Sequence, residues 1–342
     1  MGYTYHMPTR LNPFSSDVLE WESSEVFELV ENNRAMKVLV ATEKPFAPKA
    51  VEGIKEVFSA EGYEVVMLEK YSDKSELLDA VKDVDALIVR SDKVSAEVLE
   101  AAENLKIVVR AGAGYDNVDL KTASERGVVV MNTPGQNSNA VAELALGMMI
   151  YISRNQFTAG TGFELQGKSV GIHAYGNVGR LVARKAKALG MNVLAYDPFV
   201  TDDALFEADG VKKVESVEEL YANSDFLSLH IPATDETRDS IGYKLMMSMP
   251  KGATLVNTAR KEVIDECGLK EALMERADLK YVTDIAPDSA EELAQIAGKR
   301  FFATPKKMGA ETAEANINAA IAAARQIVDY IKNGNCRFQV NR

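Results

Sequence analysis

Three histidines and two cysteines in 342 residues leave little material for several common chemistries. Cys267 and Cys336 are too few and too far apart for a disulfide framework or a zinc site. That usage suits a reducing compartment, and the cytoplasm is the expected location. No apolar run approaches the length of a membrane span. Met1–Arg10 is polar and no apolar core follows, so no signal peptide is expected. Asp17, Glu20, Glu22, Glu25, Glu28 and Glu31 argue against an acid-poor transit peptide. Residues 1–35 are read as an extension outside the fold, helical in part over Ser16–Val30. A basic stripe is also missing: the formal charge is −12, which sets nucleic-acid binding aside. In so acidic a chain an anion site must gather its cations in one cleft, so individual arginines become informative.

What is present is apolar material, 46% of residues, enough for two cores at this length. From Met36 short apolar runs alternate with amphipathic stretches, the pattern of parallel sheets covered by helices. Lys37–Ala41, Glu64–Leu68, Ala86–Val89, Ile107–Val109 and Val128–Met131 read as strands, with helices such as Lys49–Ala60 and Ser95–Ala102 between them. A second series runs through Ser169–His173, Asn192–Tyr196, Phe226–His230, Thr254–Asn257, Lys280–Thr283 and Phe301–Ala303. Two series imply two sheets. The apolar stretch Ala140–Arg154 predicts a buried connecting helix. Glu311–Asn333 predicts a last helix with Ile317, Ile321, Ala324, Ile327 and Ile331 on one face, stopped by Gly334 and free to return to the first domain.

Val170–Arg180 reads VGIHAYGNVGR, a strand running into a turn and a helix. The spacing is that of G-x-G-x-x-G with Ala174 in the first glycine position, then Tyr175, Gly176, Asn177, Val178 and Gly179. Gly176 would let backbone approach a pyrophosphate; Gly179 would let helix pack on strand, the helix N-terminus offering free amides to the anion. Ala174 weakens the match, since that position makes the tight turn. After one further strand, Asp197 stands 21 residues past Gly176. An acid there binds the adenine ribose hydroxyls and favours NAD over NADP.

From Met36 onward the chain resembles the D-isomer-specific 2-hydroxyacid dehydrogenases. The resemblance rests on Val89-Arg90-Ser91-Asp92, Val109–Val118 (VRAGAGYDNV), Met131–Leu144 (MNTPGQNSNAVAEL), Glu164–Gly179 and Val256–Glu266 (VNTARKEVIDE). It implies an α/β fold of two Rossmann-like, doubly wound parallel-sheet domains, with a cofactor domain (135–305) inserted into a substrate domain (36–134 and 306–342). It implies Arg260 as the clamp on the substrate carboxylate and on the reacting oxygen, a role suited to a planar, always-charged fork. By the same resemblance the amides of Gly112, Ala113 and Gly114 receive the carboxylate, with Ala111 beside them in the substrate site. Asp284, with His230, Pro232, Thr237, Thr258 and Ala259, lines the cofactor site. Arg90 and Ser91 match the branch acting on 3-phosphoglycerate, and Arg110 is a second cation within reach of a phosphate. The expected activity is NAD-linked oxidation of D-3-phosphoglycerate to 3-phosphohydroxypyruvate, the step that opens serine synthesis. A homodimer joined near residues 140–165 is also implied. Reduction of glyoxylate or hydroxypyruvate, and a silent dinucleotide sensor, are the competing readings. No room is expected for the regulatory C-terminal domain of longer relatives.

Two features depart from the family. Its usual Pro-His pair and the glutamate that partners the His are missing: after Pro305 come Lys306, Lys307 and Met308, and no clear glutamate counterpart occurs in Asp284–Ser289. A carboxylate beside His raises a pKa near 6.5, whereas a lysine starts near 10.4 and needs lowering. Arg260 and the cationic nicotinamide would supply that lowering by repulsion. A lysine-bearing minority branch of the family looks similar here, down to Phe338-Gln339-Val340-Asn341. Lys307 or Lys306 is therefore the expected acid–base residue: counting back from Gly309 favours the first, adjacency to Pro305 the second.

Overall fold

The computed structural model describes residues 34–341, and the helix expected over Ser16–Val30 lies outside them, as does His6. Strands β1 (Lys37–Thr42), β2 (Glu64–Glu69), β3 (Ala86–Val89), β4 (Ile107–Arg110) and β5 (Val129–Asn132) form one sheet in the order β2-β1-β3-β4-β5. Strands β6 (Ser169–His173), β7 (Asn192–Tyr196), β8 (Lys212–Lys213), β9 (Phe226–Leu229), β10 (Thr254–Asn257), β11 (Lys280–Thr283) and β12 (Phe301–Ala303) form the other, in the order β12-β11-β10-β9-β6-β7-β8. Every pair within them is parallel. All four residues of β3, β9 and β10 are buried, because helices cover both faces of a parallel sheet. The strand order reverses between β1 and β3, and again between β6 and β9. A crevice opens at such a switch point, beyond the carboxyl ends of the strands.

The four longest helices are α1 (Pro48–Ser59), α2 (Ser138–Ser153), α3 (Asn177–Ala188) and α4 (Ala313–Asn333). Helix α2 carries the chain from the first sheet to the second, with Ala142, Ala145, Met148, Met149 and Ile152 in the second core. Helix α4 returns to the first sheet and packs on α1. It starts at Ala313 rather than Glu311, because the Thr312 hydroxyl accepts the Ala315 N–H as a cap. It ends at Gly334, at φ 65°. Of the expected face Ala324 and Ile327 are fully buried and Ile317 and Ile331 pack part-buried on the core, while the rest of the buried face is alanine: Ala315, Ala319, Ala320 and Ala323. Small side chains let the two axes approach, and a methyl group on Gly53 of α1 would lie 2.7 Å from Ile321 Cδ1. After α4 the last residues pair with β5. Val340 N–H donates to Val130 O at 2.9 Å. The Asn341 side chain bonds Val130 N and Val128 O, both at 2.8 Å. Both ends of the described chain thus belong to the five-stranded unit, and the seven-stranded unit is inserted between them.

Among the described residues no helix is long and apolar enough to cross a membrane, and no cluster of residues suits a metal ion. Both cysteines are free.

Candidate active site

The turn after β6 is built as its spacing requires. Ala174 takes the first-glycine role at φ 78°, a conformation costly for a residue with a Cβ. Gly179 packs so closely on the turn that a methyl group there would come within 2.2 Å of Ala174 O. Gly176 differs: a methyl group there would meet no protein atom within 4 Å. Gly176 is also the N-cap of α3 and offers no side-chain cap. Open space and unfilled helix amides together fit an approaching phosphate. Tyr175 contributes backbone only. Its ring is buried and stacks on Phe206 at 4.4 Å, and its hydroxyl donates to Asp209. Its N–H donates to Asp197 Oδ2 at 2.8 Å, which fixes that carboxylate at the end of β7. Asn177, Val178 and Gly179 make the first turn of α3.

His230 follows β9, with Nε2 2.9 Å from Ser228 Oγ. Burial pushes its pKa down to about 3 and that of His173 to about 4. Neither is an acid–base group near neutrality. Thr237 Oγ1 donates to Pro232 O at 2.6 Å in an exposed turn. Thr258 Oγ1 is buried without a hydrogen-bond partner among the described residues, an orphan that a ligand polar group would satisfy.

The two units meet at Arg260, one loop beyond β10, and at the loop after β4. A methyl group on Gly114 would lie 3.5 Å from Arg260 Nη2. In that loop Ala111 N–H returns to Val89 O, and Gly112 N–H turns back on Arg110 O at 2.8 Å. Ala113 and Gly114 keep their amides without backbone partners among the described residues. Gly112 sits at φ 153°, a conformation that residues with a Cβ rarely adopt, and a Cβ there would also push the Arg110 guanidinium aside, its Nη1 lying 1.5 Å away.

Arg110 sits between two other cations. Its Nε donates to Arg90 O at 2.9 Å, and burial with the charges of Arg90 and Arg260 lowers its pKa. Asp116 offsets part of that repulsion. Among the described residues none of the three guanidinium groups has a carboxylate within 4.0 Å. Carbonyl and amide oxygens hold them instead. Three cations with no ion-paired carboxylate and only Asp116 nearby, in a chain of charge −12, make a site for an anion. Ser91 is exposed beside Arg90.

Lys307 and Lys306 part company. Lys307 Nζ donates to Ala259 O at 2.7 Å and lies 3.7 Å from Asp284 Oδ1. Arg260 Nη1 donates to the same Ala259 oxygen at 3.0 Å. Burial is the main force lowering the Lys307 pKa. Arg260 adds to it, and Asp284 opposes it. Asp284 has no exposed side-chain surface, and burial raises its pKa against the pull of Lys307. Its Oδ2 accepts the Gly309 N–H at 2.9 Å, while Oδ1 has no hydrogen bond. Both lysines reach solvent, the Lys307 side chain being 39% exposed, but the Lys306 side chain makes no polar contact among the described residues and only its carbonyl takes part in the loop, accepting from Thr304 Oγ1 at 2.7 Å.

Three supporting residues carry no sequence signal of their own. Thr304 Oγ1 ties Asp284 O to Lys306 O. Asn132 Nδ2 donates to Ala113 O at 2.6 Å. Asn316 Oδ1 accepts from Arg90 Nη2 at 2.7 Å. Polar residues at a strand end or a helix start are common, and only their positions in space mark these.

Residues 38–341 match the family described as D-isomer specific 2-hydroxyacid dehydrogenase, catalytic domain. The D-3-phosphoglycerate dehydrogenase of Methanocaldococcus jannaschii is 39% identical over 285 residues, 78% of this chain and 54% of that one. The chain thus spans about half the length of that relative. The hydroxypyruvate reductase of Thermotoga maritima is 36% identical over 282 residues, 77% of this chain and 90% of that one. Among solved structures, the NAD+-bound 3-phosphoglycerate dehydrogenase of Entamoeba histolytica superposes with a TM-score of 0.80 at 49% identity. That superposition covers 90% of this chain and 99% of the other.

Proposed function

The chain belongs to the D-isomer-specific 2-hydroxyacid dehydrogenases, and we propose that it oxidises D-3-phosphoglycerate to 3-phosphohydroxypyruvate with NAD. The observation that carries this reading is the cluster of Arg90, Arg110 and Arg260, positioned by neutral oxygens with no carboxylate within 4.0 Å of them among the described residues. One carboxylate needs one such fork; a substrate anionic at both ends uses all three.

Bound NAD supplies the hydride acceptor at C2 of the substrate. Its pyrophosphate would rest on the 174–179 turn and its adenine ribose on Asp197. Arg260 and the Ala113 and Gly114 amides hold the carboxylate, and Arg260 stabilises charge on the reacting oxygen. Neutral Lys307 accepts the hydroxyl proton and becomes an ammonium against Asp284. The hydride leaves with both electrons of the C2–H bond, and the O–H pair completes the carbonyl. Residues 36–134 with 306–342 form the substrate domain and 135–305 the NAD domain in this reading. Exposed Ile150 and Phe157, the latter 69% exposed, support a homodimer joined along 140–165.

The test is NADH formation from NAD and 3-phosphoglycerate at alkaline pH, with the product trapped chemically. Turnover there and none with glycerate is the expected result. The Thermotoga maritima hydroxypyruvate reductase, of which the chain covers 90%, favours a second reading: reduction of hydroxypyruvate with no preference for its phosphorylated form. The same assay run in reverse separates the two.

A further inference from the structure

Arg90 depends on the far end of the chain for its orientation. Nη1 donates to Lys44 O and Pro45 O at 3.3 and 3.5 Å, and Nη2 donates to Asn316 Oδ1 at 2.7 Å. Its Cζ lies over the Phe46 ring, 5.3 Å from the centroid. Asn316 is fixed in turn, because its Nδ2 donates to Thr312 O at 2.9 Å. Turning the amide over would aim N–H at the guanidinium and oxygen at a carbonyl, so both bonds hold the acceptor toward Arg90. Asn316 sits one turn inside α4, on the segment that also carries Lys307. The contact therefore links the proton-transfer loop to the cation at the other side of the site.

We propose that Asn316 is a specificity-determining positioning residue, which holds Arg90 beside Arg110 with its charge uncompensated and so selects a 2-hydroxy acid carrying a second anionic group at its far end. The inference rests on the reading of the site given above. Its logic lies in the amide. A neutral oxygen fixes the guanidinium without cancelling it, whereas a carboxylate in the same place would fix it equally well and neutralise it. Alanine would release the group and leave its charge available. A scaffold role and a specificity role therefore rank two substitutions in opposite order. Asn316→Asp keeps the contact and suits a scaffold; Asn316→Ala loses the contact and suits the anion better.

The experiment measures reduction of 3-phosphohydroxypyruvate and of hydroxypyruvate by NADH in the full chain, wild type and both variants. The ratio of the two kcat/KM values does not depend on the fraction of protein folded, and thermal melting reports folding separately. Asn316→Ala is expected to lower the ratio about tenfold, through KM for the phosphorylated acid, as loss of one hydrogen bond to a charged group implies. Asn316→Asp is expected to lower it by about a further tenfold. Turnover of hydroxypyruvate stays close to wild type in both. An unchanged ratio in both variants, or Asn316→Asp nearer to wild type than Asn316→Ala, overturns the inference alone. A wild type without preference for the phosphorylated acid overturns the reading of the site and this inference with it.

Discussion

Lys307 Nζ and Arg260 Nη1 donate to one oxygen, the carbonyl of Ala259, at 2.7 and 3.0 Å. The shared acceptor brings two cations together that would otherwise repel, and it leaves the lysine as the one able to lose its proton. Lys307→Ala is expected to lower kcat by about a thousandfold, the range of a lost general base, with NAD affinity intact. Lys306→Ala is expected to retain turnover, since its side chain touches neither Ala259 nor Asp284. Steady-state kinetics of the two variants decide the matter, and retention of activity in Lys307→Ala would sink the assignment.

Asp284 tunes that lysine. Burial drives both groups toward their neutral forms, and their mutual attraction drives both toward the ionised ones. A nearby negative charge favours the ammonium, so removing it lowers the lysine pKa further. Oxidation requires neutral lysine, hence the rate rises with pH through the Lys307 pKa. In Asp284→Asn that rising limb is expected at lower pH than in wild type, together with a lower maximal rate from the disturbed Gly309 contact. A limb that moves up, or stays, contradicts the pairing.

Much of this architecture is readable from the chain because parallel strands buried on both faces appear as unbroken apolar runs. Ala86–Val89, Ser169–His173 and Thr254–Asn257 begin and end where those runs do. The strand Lys212–Lys213 has no such run and exists only because the edge of β7 offers partners to Leu194- and Ala195-facing backbone. The α4 face was legible only in part: Ala324 and Ile327 are buried as expected, but close packing on α1 also buries Ala315, Ala319, Ala320 and Ala323, which an apolar stripe of large residues does not mark. At the site, residue types were legible and adjacency was not. Whether Lys306 or Lys307 enters the cleft is decided by the loop that Thr304 ties down, through contacts made 20 residues apart in sequence. Asn316 is one polar residue in a helix until Arg90 is seen against it.

The first-glycine position of the phosphate turn gives a stability test. Ala174 at φ 78° carries about 1 kcal/mol of backbone strain, which glycine would relieve at a smaller cost in unfolded-chain entropy. Ala174→Gly is expected to stabilise the protein by about 0.5 kcal/mol, with NAD binding unchanged. Gly179→Ala, which drives a methyl group to 2.2 Å from Ala174 O, is expected to destabilise it and weaken NAD binding. Denaturant midpoints of the two variants should fall on opposite sides of wild type; a destabilised Ala174→Gly would refute the strain.

His173 and His230 give the last test, one of pH. Their pKa values in the folded chain are about 4 and about 3, both pushed down by burial, against about 6.5 unfolded. Below 6.5 the unfolded chain takes up protons that the folded chain refuses. Stability is therefore whole above that pH and falls as the medium is acidified, until the folded values are reached. At pH 5 the loss is about 2 kcal/mol for each histidine. Denaturant midpoints from pH 8 to pH 5 should hold steady down to about 6.5 and then drop. In a variant with both His173→Gln and His230→Gln the drop should shrink, whatever its stability at pH 8. A variant with the wild-type slope would assign the acid sensitivity to other groups and show that these two imidazoles are not held neutral.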